Sequence, residues 1–334
     1  MRIAGRRPIA GAPLPMGLLL VLYAGMAIAA VVLISAAAWR YATRAPGGEH
    51  HATIGMADVY GLGGLSALSP GRAAGEAAVS PVMHNEIVTY YGTPRTPSMG
   101  ILGQHAPEDA ADLLAARAER FRAIVGGTDV LPALHLVYAV AQPQAQTDGL
   151  YLQYVDDRTV QQFLSLARRR GFVLILDLQI GHSDALAEVK KIAPYLVQPD
   201  VFVALDPEFA LPPGSKPGEA IGSIDATDIN AVQQYLAVIS QQYHLPKKML
   251  VVHQFQAGMI TDPAAIERRN DVDLVVDMDG YGPADIKQVK YLRFGAAAYA
   301  PYGGIKIFLE HDPDPMTEQQ LLGLTPRPSL FIYQ

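Results

Sequence analysis

Acidic side chains recur at the ends of short apolar runs in this chain: Asp177, the pair Asp206 and Glu208, the pair Asp277 and Asp279, and Glu310. His135, His253 and Lys306 occupy comparable places. Carboxylates gathered in one site can do two kinds of chemistry. One carboxyl group can hand a proton to a leaving oxygen while a second, ionised one attacks carbon or activates water. Alternatively, several carboxylates can hold a hard divalent cation through oxygen. An acid at a strand end can also simply cap the helix that follows, and Lys306 can serve only to neutralise Asp277 or Asp206. Clustering nevertheless favours chemistry, because each buried charge needs a partner.

These residues need elements to bring them together. After residue 83, apolar runs alternate with helical patterns. Strands are expected at Glu86–Gly92, Val130–Val140, Phe172–Gln179, Val201–Glu208, Lys248–Phe255, Val272–Asp279, Gly303–Glu310 and Ser329–Gln334. Helices are expected at 107–125, where Pro107 suits the first turn; at about 158–170, stopped by Gly171; and after Thr317, which forms a capping box with Gln320. Strict alternation implies a parallel sheet with helices outside. Eight such units in residues 83–334 fit an α/β fold, a (β/α)8 TIM-type barrel with seven helices, lacking the eighth. The segment before the first strand, or a partner, would close that gap. An open doubly wound sheet would carry a Gly-rich phosphate turn after its first strand, and Gly92-Thr93-Pro94 is not one.

Strand parity then sorts the side chains. Leu174, Leu176 and Leu178 face the helices, leaving Asp177 and Gln179 inward. Val201, Val203 and Leu205 do the same for Asp206 and Glu208; Ile305, Ile307 and Leu309 for Lys306, Phe308 and Glu310. The same test turns Asp277, Asp279 and His135 inward. It cannot choose between His253 and Gln254. The mouth formed by the C-terminal strand ends is where barrel active sites sit. The Pro/Gly-rich stretch 209–223 would form a lid or wall there.

The placement of Glu208 after strand four and Glu310 after strand seven resembles the clan of retaining glycoside hydrolases. That resemblance implies Glu208 as acid/base and Glu310 as nucleophile, with Asp206 assisting. The clan usually has Asn before the acid/base, whereas here it is Pro207. The single Trp, Trp39, lies outside the barrel, so Tyr90, Tyr91, Tyr138 and Tyr281 would have to supply stacking surfaces. His135, Asp177, Gln179, His253, Gln254, Asp277, Asp279, Lys306, Tyr91 and Tyr281 are expected to bind substrate. Tyr90-Tyr91-Gly92, Met99-Gly100-Ile101-Leu102-Gly103, Asp206-Pro207-Glu208-Phe209, His253-Gln254-Phe255 and Asp277-Met278-Asp279-Gly280 also resemble an uncharacterised group of exported bacterial proteins, which implies fold and location only.

The N-terminal residues are of a different composition. Residues 16–39 carry no charge, and at ~1.5 Å per residue such a helix reaches ~36 Å, enough for a ~30 Å hydrocarbon core. Arg2, Arg6 and Arg7 precede it, favouring an inside N-terminus. The expected order is a cytoplasmic 1–15, a transmembrane anchor 16–39, an Ala/Gly-rich linker 40–82 and an extracytoplasmic barrel 83–334. A cleaved signal peptide is the alternative, although the apolar run exceeds the usual h-region. The net charge of -6 gives no reason to expect nucleic acid as a partner, because phosphate binding needs a basic face. The absence of cysteine excludes disulfides and thiolate chemistry. The spacings match no metal motif, and no cofactor is expected. The expected partners are therefore a carbohydrate or cell-envelope polymer, and the membrane itself. Two competing classes stand beside the glycosidase-like enzyme: a metal-dependent, phosphodiesterase-like hydrolase and a non-catalytic glycan-binding barrel.

Overall fold

The computed structural model describes residues 79–126, 129–212 and 214–334. The expected anchor 16–39 lies outside the described residues, as does most of the linker. No helix among the described residues is long and apolar enough to cross a membrane.

All eight expected strands form, and we number them β1 (Asn85–Gly92), β2 (Asp129–Ala141), β3 (Val173–Gly181), β4 (Val201–Ala210), β5 (Lys248–Gln254), β6 (Val272–Met278), β7 (Tyr302–Ile307) and β8 (Leu330–Tyr333). Each pairs in parallel with the next, and β8 pairs back onto β1 through Ile87 and Leu330, closing the ring. The chain is a closed (β/α)8 barrel. Closure removes every sheet edge among these eight strands, so the backbone polar groups of the strands are paired around the ring.

Parity partitions the core as the alternation requires. Leu174, Leu176, Val203, Leu205, Leu250, Val252, Ile305 and Ile307 are buried under the outer helices. Ile87, Ala133, Ile175, Phe202, Met249, Val251, Val275 and Ile332 fill the lower lumen. Above this apolar plug, the upper lumen is lined by polar side chains.

Local signals in the sequence set the helix ends. Pro107 begins the helix Pro107–Val125, and Gly126, at φ 59°, caps it in the left-handed region that glycine tolerates. In Asp157–Arg170, Asp156 accepts from the Thr159 amide and Gly171 ends the helix at φ 68°. Thr317 and Gln320 form the expected capping box on Glu318–Leu322.

Four features differ from expectation. The crossover from β5 to β6 contains a 3-10 turn, Pro263–Ala265, in place of an α-helix. The residues around it, such as Glu267, Arg268 and Arg269, offer no apolar stripe to seat a helix. A short strand, Leu152–Tyr154, pairs antiparallel with the end of β2. β7 stops at Ile307, so the parity rule does not extend to Leu309, which is 40% exposed. The eighth outer position is covered by the first helix. Phe121 packs on Phe331 with ring centroids 4.8 Å apart, and the Arg117 guanidinium stacks 4.0 Å from the Tyr333 ring while pairing with Glu318 at 2.9 Å.

Residues 79–82, grouped with the linker by composition, pack on the barrel. The Val79 carbonyl accepts from the Lys247 amide (3.1 Å), Ser80 donates to the buried Asp273, and Val82 enters the lower lumen. Ser80 caps the bottom of the barrel at Asp273, whose other partner is Lys247 at 3.7 Å. Ser80→Ala strips a buried carboxylate of its hydroxyl donor, and urea denaturation should show a loss of about 1–3 kcal/mol. Unchanged stability would mean that this segment does not close the barrel.

Candidate active site

Above the apolar plug, seven strands and their ends place polar side chains in one ring. His135 from β2, Asp177 from β3, His253 from β5 and Asp277 from β6 are fully buried. His135 Nε2 and His253 Nε2 lie 3.1 and 2.9 Å from the same atom, Asp177 Oδ2. The other nitrogen of His253, Nδ1, lies 2.9 Å from Asp277 Oδ2 and 3.5 Å from Asp279 Oδ2. Asp279 also receives Lys306 Nζ at 3.1 Å, and that ammonium sits 3.6 Å from the centre of the Tyr91 ring. The register thus decides what parity left open: His253 faces the lumen. Gln254 faces the other way and accepts from the Tyr299 hydroxyl at 2.5 Å.

Asp206 and Glu208 occupy consecutive inward positions at the end of β4. Asp206 is buried, its Oδ1 accepting from the Glu208 amide at 3.3 Å and its Oδ2 lying 3.5 Å from Gln179 Nε2. Gln179 is itself fixed by accepting from the Ala141 amide at 2.7 Å. Glu208 keeps part of its surface open to solvent. The Pro/Gly-rich stretch after β4 forms a wall beside these acids. The Gly222 amide donates to the Glu208 carbonyl at 2.6 Å, Ser223 donates to Ala210, and His182 Nε2 lies 2.7 Å from the Ser215 carbonyl. A methyl group on Gly222 would run into the Ala210 backbone, so this wall requires glycine there. Gly304 meets a similar demand on β7: an added Cβ would lie 2.9 Å from Asp277 Oδ1.

The electrostatics follow from burying these acids together. Burial, reinforced by Asp177 and Asp279, pushes Asp206 up to about 7 against the pull of His253 and Lys306. Burial and the neighbouring Asp206 and Asp279 push Glu208 well above the usual carboxylate range. Asp177 goes the other way: burial opposes ionisation, but His253 and His135 hold its carboxyl far below the ordinary value. Burial would likewise discharge His253, yet Asp177, Asp277 and Asp279 outweigh it and raise the imidazole well above its usual range. Burial drives His135 down to about 4, because Asp177 offsets it only in part. One site therefore holds carboxyl groups pushed in opposite directions, the arrangement that separates an acid from a base.

Besides Gln254, which faces the helix layer, two residues expected in the site lie apart from this ring. Glu310 is exposed, in the turn beyond β7, and accepts from Gln104 Nε2 at 3.1 Å. Because β7 ends at Ile307, the chain has already turned outward before Glu310. Tyr281 stands on the rim, its ring 6.0 Å from Phe308 and 6.4 Å from His311. Behind that rim is a pair that sequence reasoning missed. Asp312 accepts from Lys287 Nζ (2.8 Å), the Gly282 amide (2.8 Å) and the Phe308 amide (2.9 Å), tying together the loops after β6 and β7. The available signal was an inverted helix, Ala284–Lys290, whose Ile286 and Val289 are exposed while Lys287 is buried.

No protein-family model matches the chain, and no curated protein matches it in sequence. Among solved structures, it is similar to a GH18 chitinase from Pseudoalteromonas aurantia, at 11% identity and a TM-score of 0.39 over 74% of this chain and 93% of that one. Thermotoga maritima Cel5A matches at 13% identity and 0.41, over 77% and 91%. The Bacillus subtilis mannanase man26 matches at 10% and 0.38, over 65% and 74%. At these TM-scores the likenesses carry no argument about the site.

The raised Asp206 has a measurable cost. A carboxyl group whose folded value exceeds its unfolded one binds more protons when folded, so its contribution to stability falls as pH rises from about 4 to about 7. Asp206→Asn removes that loss. Thermal denaturation should show the variant a few °C more stable than the parent at pH 8, with the gain shrinking toward pH 4. A gain independent of pH would contradict the assignment.

Proposed function

We propose that this chain is a membrane-anchored, extracytoplasmic barrel enzyme of glycoside-hydrolase type, acting on a cell-envelope or external glycan, with Glu208 as its general acid. The observation that carries this reading is the position of Glu208. It closes β4 at the mouth, partly open to solvent, directly above buried Asp206. Breaking a glycosidic bond needs a proton on the departing oxygen, and the donor must still hold that proton near neutral pH. The upward push on Glu208 meets that requirement.

The second carboxylate must face developing positive charge at the anomeric carbon. Glu310 does not share the ring, and we assign this role to Asp279. Lys306 at 3.1 Å and the His253 ring nitrogen at 3.5 Å orient its carboxylate. Asp279 also acts electrostatically on Glu208. Tyr91 is occupied by the Lys306 ammonium on its ring face, so sugar stacking falls instead to the rim pair Tyr281 and Phe308. The membrane anchor rests on the uncharged stretch 16–39 and the arginines before it.

Hydrolysis of a panel of cell-envelope and plant β-glycans tests this assignment. Glu208→Gln should lower kcat/KM by about 10²–10⁴-fold without changing the far-ultraviolet circular dichroism. Glu310→Gln should stay within a few-fold of the parent. Equal loss in both variants would restore the strand-four and strand-seven pair. Binding without turnover by the parent would favour a glycan-binding barrel, and cleavage of phosphodiesters alone would favour the other hydrolase class. Location has a separate check. Protease added to intact spheroplasts should degrade or release the barrel, and protection until lysis would contradict the orientation.

A further inference from the structure

We infer that His135, Asp177 and His253 form a binding site for one first-row transition-metal dication beneath the acidic mouth. Their donor atoms come from three different barrel strands and converge without any sequence motif. Asp177 Oδ2 lies 3.1 Å from His135 Nε2 and 2.9 Å from His253 Nε2, and the candidate ligand atoms all fall within 4.8 Å of one another. Donors at ~2.0–2.2 Å from a shared ion stand ~3–3.5 Å apart in tetrahedral or octahedral geometry, so only small side-chain adjustments separate this triangle from a coordination shell.

Three independent features point the same way. First, His253 has the outer support of a metal-binding imidazole: its Nδ1 lies 2.9 Å from Asp277 Oδ2, which fixes the ring and turns Nε2 toward Asp177. Second, buried polar atoms around the triangle have no hydrogen-bond partner among the described residues. They are Asp177 Oδ1, Asp277 Oδ1, His135 Nδ1 and Thr89 Oγ1, the last belonging to a fully buried side chain one inward step below Tyr91. Buried native polar groups are nearly always satisfied, so unpartnered atoms on two of the three proposed ligands and on their neighbours mark a place for something more. Third, the nearby lysine is engaged elsewhere. Lys306 is drawn off onto Asp279 and the Tyr91 face, so the groups that meet Asp177 are the two imidazoles, and a dication binding there takes the place of the His253 Nε2 proton. Two imidazoles with one carboxylate suit zinc, manganese or iron better than magnesium or calcium, which prefer all-oxygen shells.

The site shares no ligand with the acid/base reading, because Glu208 is not among its residues, so the two can be tested apart. Full-length chain, stripped with chelator in detergent, would be titrated calorimetrically with Zn2+, Mn2+ and Mg2+. The expected result is one equivalent of Zn2+ or Mn2+, a negligible response to Mg2+, and a melting temperature raised by at least about 3 °C. His135→Ala and Asp177→Asn should each weaken binding by at least 10-fold, as outer-shell losses alone reach 10–100-fold. Glu208→Gln should bind as the parent does, and so should the double variant His50→Ala/His51→Ala, which removes the adjacent histidines of the 40–82 linker as an alternative source of imidazole ligands. Because ring variants could unfold, Co2+ bound to the parent supplies a second readout: its visible absorption should report mixed nitrogen and oxygen ligation. The proposal is overturned by absence of stoichiometric binding to the folded parent, by binding that survives in folded His135→Ala, or by loss of binding in the His50/His51 variant. Metal binding without glycan turnover would sink the enzyme reading and leave this site standing.

Discussion

The structure depends on one constraint: carboxyl groups from β3, β4 and β6 and their ends are packed around His253 of β5 above an apolar plug, where water screens them poorly. Burying an unpaired carboxylate is costly, so each group must be protonated or given a cationic partner. The ring uses both solutions. Asp177 and Asp279 have His253 and Lys306, whereas burial and mutual repulsion push Asp206 and Glu208, on β4, toward the protonated form. Chemistry at the mouth follows from that uneven sharing of positive charge.

The rest of the barrel holds the ring in place. Closure fixes which strand ends are neighbours, and the register puts His253 level with Asp277 and Gln179 level with Asp206. Small residues make room where charges crowd, as Gly304 does for Asp277 and Gly222 for the β4 backbone. Asp312, accepting three donors at once, joins the two loops that present Tyr281 and Phe308. Most first-rank groups therefore sit on strands, and the loops supply walls and edges.

Much of this was legible in the sequence because a strand has a period of two. Leu174, Leu176 and Leu178 identify Asp177 as inward without any structure, and the same logic places Asp206, Glu208 and Lys306. Legibility ended wherever that period was broken or uninformative. In Val251-Val252-His253-Gln254-Phe255, apolar residues of both parities hide which face is which, and only pairing with β6 resolves His253. Glu310 failed because parity was carried past the true end of β7. The partnership of His135, Asp177 and His253 could not be read at all, since their spacing in the chain bears no relation to their proximity in the ring. Lys287 and Asp312 escaped for the same reason, helped by a helix that exposes Ile286 and Val289 while hiding its lysine.

The central claim is that the mouth keeps a carboxylic acid protonated at neutral pH at Glu208. Infrared spectroscopy reads this directly, because the C=O stretch of a protonated carboxyl group is separate from the carboxylate bands. The account expects a protonated-carboxyl band in the parent at pH 7 that diminishes in Glu208→Gln and persists in Glu310→Gln. A band absent at pH 7, or unaffected by Glu208→Gln, would contradict it.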